Sequence, residues 1–188
     1  MTIALTQELG RFVASLRYDD IPQAAVSAIE TGFTDCVGVM IAGASEPAVQ
    51  LLLSMLEPAH GESTVLWSAT RASALDAAWI NGTAAHALDF DDIAQRGGHR
   101  SAVLVPAIIA EAEAIGASGR QMIAAYAAGC ETWAEIARRD PDQHHHKGWH
   151  PTSVFGSIAA AAACASLRGV DAVAAAPRLR WARRRAAV

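Results

Sequence analysis

Aromatic side chains make up only 6% of this 188-residue chain, and that scarcity excludes one class of active site at once. An Asp-x-Asp-Asp run serves carbocation chemistry only inside walls of aromatic faces that stabilise a cation, and this composition does not supply them. Basic charge is also short, with Lys and Arg numbering 15 against 19 Asp and Glu, for a net charge of -4 and a pI near 5.9. A nucleic-acid-binding face needs clustered cations, so no nucleic acid partner is expected. Cysteine is limited to Cys36, Cys130 and Cys164. Their odd number and wide spacing, with no CxxC pair, exclude a disulfide framework and a cysteine zinc site, and they read as reduced core thiols. The longest weakly polar run, Val154 to Leu167, is broken by Gly156, Ser157 and Ser166 and falls short of the roughly 20 apolar residues that a bilayer demands. The N-terminus has Glu8 and Arg11 inside a helical pattern and no basic segment leading into an apolar run. No membrane partner and a cytoplasmic location are the expectations.

What is abundant is alanine, at 43 residues, within a hydrophobic content of 52%. Alanine loses no side-chain rotamer freedom on entering a helix, so an all-α, multi-helix fold is expected. Leu5, Leu9, Phe12, Val13 and Leu16 recur at helical spacing up to Tyr18-Asp19-Asp20. Pro22 stands at a first helical position, followed by a broad apolar stripe from Ala25 to Ile41 that ends near Gly43. Pro47 to Leu56 reads as a shorter helix, Thr64 to Trp67 as a brief extended segment, and Ser73 with Asp76 as a capping box for the next helix. Beyond the Gly97-Gly98 break, helices are expected over Ser101 to Ile115 and Gln121 to Arg138. After the loop at Asp140-Pro141, Thr152 or Ser153 caps an alanine-rich helix that ends at Leu167. One domain over 1–171 is followed by an Ala/Arg-rich segment, 172–188, whose last eleven residues hold no acid. That segment reads as a basic tail or a truncated or frame-shifted terminus.

The chemistry is concentrated in one place. From Asn81 to His99 the chain carries two imidazoles, His86 and His99, and three carboxylates, Asp89, Asp91 and Asp92. Groups of this kind need charge or hydrogen-bond partners when buried. His99 and His150 each sit in a Gly-flanked loop ahead of a helix, where backbone N–H groups and the helix dipole favour anions. An imidazole titrates near neutrality and transfers protons in either direction. His86 and Asp89, three apart, can pair on one helix face. The bland alternatives are a loop histidine bonded to a carbonyl and a solvated acidic helix end, and the residues alone leave both open. The run His144-His145-His146 is read as a solvated loop, since adjacent histidines cannot all face one ion.

Asn81-Gly82, His86-Ala87-Leu88-Asp89-Phe90-Asp91-Asp92, the His99 loop and Gly148-Trp149-His150-Pro151-Thr152-Ser153-Val154-Phe155-Gly156 resemble, together with Asp35-Cys36-Val37-Gly38, the N-terminal helical region of the MmgE/PrpD family. That family holds 2-methylcitrate dehydratases, cis-aconitate decarboxylases and iminodisuccinate epimerases. The resemblance implies a helical main domain, a separate α+β lid domain absent from this chain, a homodimer at full length, and chemistry without metal or cofactor. It also implies a small di- or tricarboxylate substrate that gains or loses a proton at the carbon beside a carboxylate. On this pattern Asp89, His99 and His150 are the catalytic positions, with His86, Asp91 and Asp92 supporting them. Arg100, Ser101, Thr152 and Ser153 are expected to bind substrate; Arg100 stands where the family usually has proline and offers a guanidinium to a carboxylate. Dehydration of 2-methylcitrate is the leading expectation, with decarboxylation of cis-aconitate and epimerisation as alternatives. The lid domain, the later helices and the lysine and tyrosine that family sites also use are expected beyond Val188. An inactive fragment or a helical association module is therefore the competing reading.

Overall fold

Eight α-helices account for most of the residues that the computed structural model describes, namely 4–56, 58, 60–94, 98–140 and 144–186, with the backbone alone at 144, 181 and 183–186. Gly97, Pro141 and Gln143 of the two expected loops, and the side chains of Trp181, Arg183, Arg184 and Arg185, lie outside the described residues. The helices are α1 (Leu5–Ser15), α2 (Gln23–Gly43), α3 (Pro47–Leu56), α4 (Ala74–His86), α5 (Arg100–Ile115), α6 (Gly119–Arg138), α7 (Pro151–Leu167) and α8 (Ala172–Ala186). The two short strands, β1 (Ser63–Thr64) and β2 (Arg71–Ala72), pair antiparallel, Ser63 with Ala72 and Thr64 with Arg71. The all-α fold class stands.

The helix ends follow local chemistry. Ser118 and Gln121 form a reciprocal capping box at the start of α6, which satisfies two otherwise unpaired N–H groups. Gly116 ends α5 at φ 68, a left-handed conformation that only glycine adopts without cost. Ser73 caps α4 by accepting from the Asp76 N–H at 3.1 Å, while the Asp76 carboxylate returns to the Ser73 hydroxyl and not to its backbone. Pro22 lies one position outside the helix, with α2 beginning at Gln23 and the Pro22 carbonyl accepting from Ala25 and Val26.

α5 runs through the core, with Leu104, Val105 and Ile108 fully withdrawn from solvent; each such burial contributes about 1.5–3 kcal/mol. It packs against α4, α6, α7 and α2. α2 is, among the described residues, the one helix long and apolar enough to cross a membrane. Its Cys36, Met40 and Gly43 face is packed inside the protein. At the crossing with α4, a Cβ on Gly43 would stand 2.2 Å from the Ala84 carbonyl oxygen, so this approach requires glycine. The segment read as a basic tail is helical from Ala172 and rests on α1 and α7. Leu179, Ala175 and Ala176 form its inner face, a stripe whose 3- and 4-residue spacing is obscured in the sequence by Pro177 and Arg178 between and Arg180 after.

Candidate active site

The site is assembled where α4 ends and α5 and α7 begin. Buried Asn81 in α4 accepts from the Leu66 N–H at 3.2 Å and donates to the Thr64 carbonyl at 2.9 Å, so this member of the motif fixes the β1 loop against the helix. α4 stops at His86. Asp89 then takes φ 55, a left-handed conformation that aspartate tolerates better than most non-glycine residues. The turn carries Asp89 out to solvent and swings Asp91 inward, leaving its side chain with no exposure.

Asp91 is the hub. Its Oδ1 lies 2.9 Å from Nδ1 of His86 and its Oδ2 2.9 Å from Nδ1 of His99. Nε2 of His99 stands 3.7 Å from Oδ1 of Asp89, an ion-pair distance when the ring is protonated. His86 therefore pairs with Asp91 and not with Asp89: the helix has ended before the i+3 geometry can form. Asp92 serves α5 instead, with Oδ1 accepting from the Ser101 N–H at 3.1 Å. It supplies the capping acceptor that His99, at the N-cap without a side-chain cap bond, does not provide.

His99 is held from behind. The loop before it closes through paired bonds between Ala94 and Gly98, and Gly98 lies on the Trp133 ring, where a Cβ would stand 2.3 Å from Cζ2. The His99 N–H donates to Thr152 Oγ1 at 3.1 Å, which ties α5 to the first turn of α7. His150 is the N-cap of α7, and Pro151 occupies the first helical position. Its ring centroid is 6.1 Å from those of His86 and His99, which are 4.4 Å from each other. Partial desolvation, then the imidazoles of His86, His99 and His145, hold His150 below the usual histidine range, while Asp89 acts in the opposite direction.

The structure thus brings Asp89, His99 and His150 together, with His86 and Asp91 among them. It does not bring the whole expected substrate-binding set. Arg100 is 5% exposed and turned into the core, its Nη1 donating to Cys130 Sγ at 2.8 Å while Nε and Nη2 find no partner. Ser101 is buried, its hydroxyl bonded to Tyr126 at 2.8 Å and its carbonyl accepting from the Cys36 thiol at 3.3 Å. Burial pushes Tyr126 up to about 12 and raises Cys36 further, so both groups keep their hydrogens. Thr152 does not cap α7, since its hydroxyl is committed to His99, whereas Ser153 is exposed beside His150. His145 and His146 are exposed. An open groove of about 640 Å³, lined by Leu75, Trp79, His86, Val103, Pro106 and Thr152 among others, runs along α4 and α5 to the cluster.

His86, Asp89, Asp91 and His99 each offer a ligand atom, all within 4.8 Å of one another. As they stand, the two Nδ1 atoms and both Asp91 oxygens are joined to each other by hydrogen bonds.

The model of the MmgE/PrpD N-terminal domain matches residues 7–177. The chain belongs to the MmgE/PrpD family. Among curated relatives, the cis-aconitate decarboxylase of Homo sapiens is 32% identical over 100 residues, covering 50% of this chain and 21% of the relative. The Mus musculus cis-aconitate decarboxylase is 31% identical over 100 residues, covering 50% and 20%. The cis-aconitate decarboxylase-like protein oryM of Aspergillus oryzae is 29% identical over 180 residues, covering 89% and 37%. This MmgE/PrpD chain therefore spans between a fifth and somewhat over a third of the length of these relatives.

Proposed function

We propose that these residues form the histidine and aspartate wall of a lyase site for a small di- or tricarboxylate, with cis-aconitate decarboxylation as the reaction. The observation that carries this reading is the meeting of three imidazoles and Asp89 at the junction of two helix N-termini. The relatives' names favour decarboxylation over the dehydration of 2-methylcitrate that the motifs first suggest. Loss of one carboxylate from cis-aconitate breaks a C–C bond, releases CO₂ and adds one proton to carbon. A trianion and a proton become a dianion and CO₂.

His99 is suited to deliver that proton, because Asp91 fixes its ring and compensates the charge of an imidazolium. His150, held below the usual histidine range, stays neutral near pH 7 and offers a lone pair or an N–H to the substrate. The positive ends of α5 and α7 favour the remaining carboxylates. No metal is needed for these steps.

The test is incubation of the purified chain with cis-aconitate and, separately, 2-methylcitrate, followed by proton NMR and CO₂ detection. CO₂ and a five-carbon dicarboxylate from cis-aconitate are expected. Water loss from 2-methylcitrate without CO₂ release reassigns the reaction to dehydration. A second reading is favoured by Leu75 and Trp79, which are 77% and 56% exposed on α4 beside the groove: an association surface on a chain that turns nothing over. Inertness toward both substrates selects it.

A further inference from the structure

Both carboxylate oxygens of Asp91 are occupied by imidazole nitrogens, Nδ1 of His86 on one and Nδ1 of His99 on the other, each at 2.9 Å, and the side chain has no contact with solvent. An ionised carboxylate only accepts hydrogen bonds, so each Nδ1 must bring the hydrogen. A neutral imidazole protonated at Nδ1 has its lone pair on Nε2.

We propose that Asp91 is the positioning residue of the site, holding His86 and His99 together in the Nδ1–H form so that both rings present Nε2 as the reactive nitrogen. His86, which lines the groove and is 37% exposed at its side chain, thereby joins His99 as a working imidazole and is more than packing for it. One carboxylate also locks the last turn of α4 to the N-cap of α5, which fixes the 4.4 Å separation of the two rings. The groups that face the pair from neighbouring elements are Asp89, 3.7 Å from His99 Nε2, and His150, 6.1 Å from both ring centroids. Neither reaches an Nδ1 atom that Asp91 already occupies. The inference rests on the lyase reading only for what the two Nε2 atoms do; the tautomers stand apart from it.

The experiment is long-range 1H–15N correlation NMR on the full chain labelled with 15N, recorded above the titration range of its histidines, with His86→Gln and His99→Gln variants to assign the rings. Wild-type protein should show Nδ1 protonated and Nε2 bare in both rings. Asp91→Asn tests the cause, because an amide has one acceptor oxygen and one donor nitrogen. It can hold one ring as Nδ1–H but must donate to the other, so one of the two rings should switch to the Nε2–H form. Asp89→Asn should switch neither. A wild-type ring found as Nε2–H, or an Asp91→Asn variant with both rings unchanged, overturns the proposal. Should that variant fail to fold, the wild-type tautomers decide alone. Tautomers as described in a chain inert toward carboxylates would sink the lyase reading and leave the positioning role intact.

Discussion

The backbone N–H of His99 donates to Oγ1 of Thr152, 53 residues away in the chain, at 3.1 Å. This bond joins the two helix starts that carry the histidines, so the spacing of His99 and His150 depends on a hydroxyl that belongs to neither. Thr152→Val keeps the volume and deletes the acceptor, leaving a buried N–H unpaired at a cost of about 1–3 kcal/mol. A lowered urea midpoint is expected, with Thr152→Ser close to wild type. Equal midpoints for the valine variant and wild type would show that the N–H is satisfied elsewhere.

Gly98 is fixed by contact with Trp133. An added methyl would sit 2.3 Å from Cζ2 of a ring that is itself fully buried, and overpacking of this kind costs about 1–3 kcal/mol. Gly98→Ala should therefore destabilise the protein and displace His99. Combining it with Trp133→Phe, which replaces the indole by a smaller ring lacking Cζ2, should cost less than the sum of the two single changes. Strict additivity in equilibrium denaturation would argue against the collision.

The histidine at the start of α7 links the site to pH. His150 titrates below 6.5 in the folded chain, chiefly through desolvation, and near 6.5 once unfolded. As pH falls through 6.5 the unfolded state takes up the proton first, so stability is lost on the acid side and is unaffected by this residue well above 6.5. His150→Gln should flatten the acid decline of the urea midpoint, and the wild-type ring should show an NMR titration midpoint below 6.5. A midpoint above 6.5 would contradict the partial burial of His150 beside other imidazoles.

Much of the fold is legible because helix formation is local: alanine content and 3.6-residue spacing locate α1 through α7 to within a few residues, and Ser73 reveals its cap. The conjunction of Asp89, His99 and His150 is legible only through motif resemblance. What the sequence hides is set by contacts distant along the chain. Thr152 looks like a cap because capping is a neighbour's role, yet its partner is His99. Arg100 looks like a substrate clamp but turns into the core toward Cys130. Asp89 looks paired with His86 only while the helix is imagined to continue; the positive φ at Asp89 gives that place to Asp91. The stripe of α8 escapes notice because exposed Arg178 and Arg180 flank Leu179, and only the packing on α1 and α7 reveals which residues are turned inward.

On the lyase reading, His99 moves the proton. It is tested most directly by CO₂ release from cis-aconitate with the purified chain and its His99→Ala variant, compared at equal helicity. Turnover by the wild type and a loss of about 10²–10⁴-fold in the variant are expected. Equal release from both proteins, or none from the wild type, contradicts it.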